Sequence, residues 1–508
     1  MFGIVRAPSY TVKIAISTSF TRWKSSIASA PTTVNHKHDN VPATLKQTML
    51  STSSLFKDKA YINGRWTTSK SGESFEVFNP SNGTVVTSVP RMNSEDTKVS
   101  IDTAYEAFQS WKSTTAKGKP LNDSRAEIEY SASFCEWFAE EARRIQGSIV
   151  SSPDKNKKIF TLKQPAGVCG MITPWNFPNV MITRKACAAL AAGCTVVIKP
   201  SEETPLSALA MCEIFERAGF PPGVVNVITS DRTHASEVGK ILCESPLVSH
   251  ISFTGSSHVG KILLAQSSST VKKCSMELGG NAPFIVFNSA NINAVVNGAM
   301  ASKFRNTGQT CLCANRFLIQ EEIYDLFIDK MTETMKEVLI TDDGFAPGAT
   351  QGPLINQKAV EKIEELVQDA VNKGAKLVLG GKKGPQGGNF YESTLIKDIT
   401  TDMRVFNEEI FGPVVAVKKF TTEEEAIKLA HQTRAGLASY VYTQDPVQQW
   451  RVAEELEYGI VGINEGLFNA AEAPFGGYKE SGLGREGGVG YGIDEYLEVK
   501  YLAMGGMR

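Results

Sequence analysis

"CTVVIKPSEETPLSALAMCEIFERAGF", residues Cys194 to Phe220, begins as a short β-branched run, breaks at a proline, and continues as a helix pattern that ends on a glycine. It is one of several such units. An Ala-rich helix from Arg184 precedes it, and the strand "VVNVITS", the helix "THASEVGKILCE" and the strand "VSHISFTGS" follow it. Strands alternating with helices over short links predict a parallel sheet wound with helices. The same alternation returns in "YDLFIDKMTETMKEVL", "AVEKIEELVQDAVNKGAKLVLGG" and "EEEAIKLAHQTRAGLASYVYT". The expected fold class is α/β, with two doubly wound parallel-sheet domains.

The gross features agree and exclude several functions. At 508 residues and 42% hydrophobic, the chain can bury a core too large for one ordinary domain. A net charge of −1 gives no basic excess for nucleic acid. No apolar run approaches the ~20 residues of a membrane span. Small molecules and other copies of the chain remain as partners. The 9 cysteines are odd in number and lack the repeated spacing of a disulfide framework, which favours a reducing compartment. None of the 6 histidines stands at metal-ligand spacing from a cysteine pair, so no metal is expected.

The first ~40 residues read differently. Arg6, Lys13, Arg22, Lys24 and Lys37 all precede the first acidic residue, Asp39, among many Ser and Thr. Residues 1–40 are therefore expected to be a cleaved mitochondrial transit peptide, with a disordered basic tail as the alternative. Beyond them "AYINGRW" and "EVFNPSNGTVVTSVP" read as short strands and turns. A helix should follow, with Ser94 as N-cap and Ile101, Ala104, Tyr105, Phe108 and Trp111 on its apolar face.

Chemistry-bearing residues gather in the Gly-, Asn-, Thr- and Cys-rich stretch from Glu277 to Arg316, and in three turns before it. In "TGQTCLCANR", Cys311 and Cys313 stand one residue apart, as a nucleophile, redox pair, metal ligand or small buried groups. "KPSEETP" places Lys199 and Glu202 at the carboxyl end of a strand, where they suit ribose hydroxyls or a helix cap. "SFTGSSHVG" sets Gly255 and Gly260 around a strand-to-helix turn, fit for a pyrophosphate or for tight packing. "MELGG" puts Glu277 on a loop entering a strand, a general base if buried and a solvated carboxylate if not. "TPWNFP" holds Asn176 between Trp175 and Phe177, as an oxyanion donor or an Asx-type turn. A thiol, an amide, a carboxylate and a nucleotide pocket, with no histidine pairing to the thiol, match an acyl-enzyme oxidoreductase better than a cysteine protease.

"TPWNFP", "KPSEETP", "FTGS", "MELGG", "GQTC", "EEIFGPV" and "PFGGYKESGLGRE" resemble, in order, the motifs of the NAD(P)-dependent aldehyde dehydrogenase superfamily. Through "MITRK", "MASKFRNTGQTCLCANRF", "TQGPLIN" and "GLGREGGVGYGIDEYLEVKY" the resemblance narrows to the mitochondrial succinate-semialdehyde dehydrogenases. It implies an aldehyde dehydrogenase-like fold. Residues 51–146 and 166–279 would form the NAD-binding domain, 280–480 the catalytic domain, and 147–165 with 493–508 an oligomerisation element. The implied activity is oxidation of succinate semialdehyde by NAD in the mitochondrial matrix, by a homotetramer, as the last step of 4-aminobutyrate degradation. An enzyme for another aldehyde, or a non-catalytic shortened relative, is the alternative.

The resemblance also assigns roles. Cys311 would attack the aldehyde and carry a thiohemiacetal and then a thioester; Asn176 would stabilise the oxyanion and Glu277 would activate the water. Trp175, Lys199, Pro200, Ser201 and Glu202 would hold NAD, together with Gly255, Ser256, Ser257, His258, Val259, Gly260, Glu409 and Phe411. Glu202 repels a 2′-phosphate, which favours NAD over NADP. Arg184 and Arg305 would clamp the substrate carboxylate. Asn469 occupies the place of a third contact that is usually serine. Cys311 and Cys313 would form a redox pair that silences the enzyme when closed. One departure is large: between Trp111 and Gly118 about 35 residues, some ten helical turns, are missing against the family pattern.

Overall fold

A computed structural model describes residues 55–106, 121–468 and 470–506. The transit-peptide segment, Phe108, Trp111, the shortened stretch before Gly118, and Asn469 lie outside the described residues.

Two sheets organise the molecule. The first has eight strands, in the spatial order Arg65–Thr67, Ala60–Ile62, Val225–Val227, Thr195–Lys199, Val168–Ile172, Val248–Thr254, Lys273–Glu277 and Gly482–Leu483. Its five central strands run parallel and its edges antiparallel. From Val168–Ile172 the chain steps outward through 195–199 and 225–227, then returns to the other side with 248–254. This reversal opens a crevice at the carboxyl ends of the strands, where open α/β sheets bind ligands. The stretch that opened the sequence reading becomes the strand Thr195–Lys199 and the helix Pro205–Arg217, as expected.

The second sheet has seven strands, ordered Lys376–Leu379, Thr394–Lys397, Val414–Phe420, Ala314–Gln320, Ala282–Val286, Ala438–Tyr442 and Ile460–Ile463. All but the first are parallel. Both sheets are covered by helices, so their strands are near-continuous apolar runs such as buried "TVVIK" and "APFIV". A third sheet of three antiparallel strands pairs Leu497–Met504 with Lys158–Pro165, and the latter with Ile149–Val150. Its outer residues Ile149, Val499 and Tyr501 are exposed.

Three local expectations are corrected. The helix Ser94–Glu106 is capped not by Ser94 but by Asn93, whose Oδ1 accepts from the Glu95 and Asp96 N–H groups at 3.0 and 3.1 Å. An amide one residue earlier reaches the first free N–H groups, which Ser94, already in the helix, cannot. Gly260 does not bracket the turn. It lies inside the helix Ser257–Ser267, where an added Cβ would come within 2.4 Å of the Leu278 side chain. Glu277 is the last residue of a strand rather than part of a loop, because it pairs with Thr254 on one side and Gly482 on the other. Among the described residues all cysteines are free, no His, Cys, Asp or Glu group is arranged to hold a metal, and no helix is long and apolar enough to cross a membrane.

Candidate active site

The crevice between the sheets brings the expected residues together. Cys311 stands just before the strand Ala314–Gln320 of the second sheet, and Glu277 ends a strand of the first. Asn176 follows the strand Val168–Ile172, in the turn leading to the helix Pro178–Ala192. Its side-chain Nδ2 donates to the Gln309 carbonyl at 3.1 Å, two residues before Cys311. Asn306 closes the junction, its Nδ2 donating to the Asn176 carbonyl at 3.1 Å and to the Gln309 carbonyl at 3.3 Å. The amide is thus tied to the nucleophile's own turn.

That turn is strained. Asn306, Thr307 and Gly308 are successively left-handed, with φ of 51°, 56° and 73°. A non-glycine residue pays roughly 1–2 kcal/mol for this conformation, so the turn persists only where its surroundings hold it. Thr307 Oγ1 both donates to the Gly352 carbonyl and accepts from the Gly352 N–H, at 3.2 and 3.0 Å. Gly280 matters for a different reason. A Cβ there would lie 2.3 Å from the Cys311 carbonyl oxygen, so only glycine lets this strand entry pass so close to the nucleophile.

The thiol is not a thiolate at rest. Burial pushes Cys311 up to about 12; Arg184 and the Leu312 N–H act the other way, while Glu409 and Glu277 reinforce the rise. Glu277 is buried, and neither carboxylate oxygen has a hydrogen-bond partner among the described residues. Burial first, and then the Glu486 carboxylate, raise it well above the usual range, against the pull of Arg184 and Lys185. A buried carboxyl whose pKa is raised above the usual range is suited to take and return protons.

Reading the residues did not single out Glu486. It forms buried ion pairs with Arg184 and with Lys185, and those cations hold it below the usual carboxylate range despite its burial. Arg184 also lies over the Phe475 ring at 4.0 Å. Arg305 lies over Phe177 at 5.2 Å. Glu486 sits within a quoted motif, but in sequence nothing separates it from a solvated Arg-Glu pair; burial against Lys185 is a tertiary fact.

The nucleotide residues line the same crevice. Lys199 is buried and pairs with half-buried Glu202 at 3.6 Å. Gly255 leaves room for the Phe253 ring, which an added Cβ would strike at 2.4 Å. Ser256 caps the helix Ser257–Ser267 by accepting from the Val259 N–H at 3.4 Å, leaving a helix N-terminus for phosphate. Val259 and Ile262 of that helix are exposed apolar side chains, a surface for a planar base. A groove of about 620 Å³ runs past Ser257, Gly279, Gly280 and Glu409. Glu409 Oε1 accepts from the Gly280 N–H at 3.0 Å, and burial pushes this carboxyl up to about 7. Phe411 adopts a left-handed φ of 58° and meets Trp175 edge-on at 5.5 Å. These residues fit NAD in their chemistry: a helix N-terminus for an anion, a Lys-Glu pair for a ribose, exposed apolar side chains for a base and an aromatic pair.

A thiol, an anchored amide and a buried carboxyl beside a dinucleotide crevice, on two doubly wound sheets, define an acyl-enzyme oxidoreductase of the NAD-dependent dehydrogenases. The chain belongs to the aldehyde dehydrogenase family, whose pattern matches residues 66–117 and 113–502. The match comes in two pieces that overlap at residues 113–117, inside the stretch read as shortened. The chain is 53% identical to the mitochondrial succinate-semialdehyde dehydrogenase of Rattus norvegicus over 89% of this chain and 91% of the relative. Of solved structures, an E. coli NADP dependent enzyme shares 46% identity with a TM-score of 0.86, over 89% of this chain and 98% of that one. Betaine aldehyde dehydrogenase of Staphylococcus aureus in complex with NAD+ shares 32% identity with a TM-score of 0.85, over 91% and 97%.

Proposed function

We propose that this protein oxidises succinate semialdehyde to succinate with NAD, in the mitochondrial matrix, as a homotetramer built on the exposed three-stranded sheet of 147–165 and 493–508. Residues 1–40 would be its transit peptide, 51–146 with 166–279 its NAD-binding domain and 280–480 its catalytic domain. The observation that carries the substrate is a pair of guanidinium groups, Arg184 and Arg305, which together with Cys311 act on the Tyr130 hydroxyl. Arg184 is near enough to lower the Cys311 pKa, and Arg305 lies six residues before Cys311 over the Phe177 ring at 5.2 Å. Fixed cations around a nucleophile select an aldehyde with a carboxylate at its far end.

Cys311 adds to the aldehyde carbon after giving its proton to Glu277. The new oxyanion accepts hydrogen bonds from Asn176 Nδ2 and the Cys311 backbone N–H. Bound NAD supplies the acceptor for the hydride whose loss turns the thiohemiacetal on Cys311 into a thioester. Glu277, once it has passed the thiol proton to solvent, deprotonates water, which attacks the thioester; succinate leaves and Glu277 returns the water's proton to the departing Cys311 sulfur. Lys199 and Glu202 hold the adenosine ribose, with Trp175, Pro200 and Ser201 beside them. Residues Gly255 to Gly260, including His258, hold the pyrophosphate, and Glu409 with Phe411 the nicotinamide end. Asn469 is the third substrate contact. Oxidation of the Cys311 thiol by peroxide to a sulfenic acid, displaced by Cys313 with loss of water, would close a reversible disulfide. Equal and irreversible loss of activity in wild-type and Cys313→Ser protein under peroxide would remove that step.

The test is NADH formation from succinate semialdehyde by purified protein. Folded protein that binds NAD but oxidises only other aldehydes would overturn the substrate. Arg305→Leu is expected to raise KM for succinate semialdehyde by about 10- to 100-fold, the worth of one charge-assisted contact, and to leave KM for an uncharged aldehyde within about threefold. Glu202→Gln is expected to narrow the preference for NAD over NADP at least about tenfold, read as the ratio of kcat/KM values, because the carboxylate no longer repels a 2′-phosphate.

A further inference from the structure

The helix Leu121–Glu141 resumes the described chain directly after the shortened stretch, and its first turns touch both halves of the oxyanion site. Asp123 Oδ2 accepts from the Asn306 backbone N–H at 3.1 Å. Glu127 Oε1, fully buried, accepts from the Asn179 backbone N–H at 2.7 Å. The two carboxylates are one helical turn apart on one face, about 5–6 Å from each other along the helix.

Each contact falls where the local backbone lacks a partner. The helix Pro178–Ala192 has Phe177 as N-cap, with no side-chain acceptor, so the Asn179 N–H would be an orphan without Glu127. A carboxylate there also meets the positive end of the helix dipole. Asn306 is the first of the left-handed residues that swing the chain toward Cys311. Its N–H is held by Asp123 and its side chain by the Asn176 and Gln309 carbonyls. Holding one end of this strained turn and the start of the Asn176 helix from a single rigid face sets the distance between the amide donor and the nucleophile's N–H.

We infer that Asp123 and Glu127 are positioning residues for the oxyanion site: one helix clamps the Asn176 turn and the Cys311 turn in register. The inference rests on Cys311 as nucleophile and deepens that reading. Its consequence is that a segment on which the geometry of addition depends follows directly after the shortened stretch.

The experiment is the pre-steady-state burst of NADH from succinate semialdehyde, followed by stopped flow in the full chain. Asp123→Ala and Glu127→Ala are each expected to slow the burst by about 10- to 100-fold, the effect of misplacing a donor by about 1 Å. The Kd for NAD should stay within about twofold, because the dinucleotide residues are not touched. Asp123→Asn and Glu127→Gln keep an oxygen acceptor and are expected to recover the burst to within about threefold of wild type. Alanine variants that burst at the wild-type rate would overturn the clamp. So would amide variants as slow as alanine, or alanine variants that do not fold beside normal amide variants, since the role would then be stability alone. A wild-type protein with no Cys311-dependent burst would instead remove the nucleophile assignment, before any clamp variant is compared.

Discussion

Cys311→Ala protein is expected to bind NAD and to release no NADH from any aldehyde, a loss of at least about 10⁴-fold in kcat and the largest effect of any substitution considered. The reason is that nothing nearby can replace the sulfur. Cys313 is buried and donates to the Lys303 carbonyl at 3.5 Å. The substitution should leave the fold intact, because the half-buried thiol fills no core position. Rapid mixing would settle the matter. A residual burst above about a thousandth of the wild-type rate would mean that another group forms the acyl intermediate.

Glu277→Gln is expected to have the second largest effect, about 10²- to 10⁴-fold on steady-state turnover. Deacylation should suffer most: one equivalent of NADH appears per site and turnover then stalls, with acyl-Cys311 visible as added mass on the intact protein. The same carboxyl predicts the pH dependence. Burial and Glu486 raise its pKa, so the protonated form persists above the usual carboxylate range, and only the ionised form is a base. Steady-state kcat should therefore still be rising with pH above the usual carboxylate range, and the Gln variant should lose that rise. A wild-type profile flat between about pH 6 and 8 would place the base elsewhere. Cys311, pushed up to about 12 by burial, cannot supply the rise in that window.

Lys185 illustrates what binds these effects together. Burial lowers its pKa and Glu486 pulls it back, so the amine and both carboxyls share a charge balance that includes Arg184. Arg184 is ion-paired with Glu486 and at the same time holds down the Glu277 pKa, so the protonation of Glu277 is coupled to this arginine.

The order of elements was legible because it rests on local rules. "CTVVIKP" is a strand since its β-branched run is buried on both faces, and "TPLSALAMCEIFER" is a helix since its proline stands at the first turn and its apolar residues recur at helical spacing. The Cys311 stretch, the Asn176 turn and the glycine-bearing turns were legible as motifs, because glycine, proline and polar residues gather where backbone must approach closely. Gly260 shows the limit of that reading. Its spacing suits a phosphate loop equally well, and only the Leu278 side chain packed against it reveals a helix seated tightly on a strand.

What the sequence by itself determined is therefore the α/β alternation, the candidate thiol pair and the family of the chain. Tertiary structure alone decided which carboxylates are desolvated and which are paired. Glu277 stood out beside its Gly-Gly pair, whereas nothing along the chain marks Glu486, Glu127 or Asp123. Their chemistry diverges because folding buries Glu277 with no hydrogen-bond partner among the described residues, surrounds Glu486 with two cations, and sets Asp123 and Glu127 on backbone N–H groups. Desolvation and pairing arise from contacts between segments distant in sequence, so no local pattern carries them.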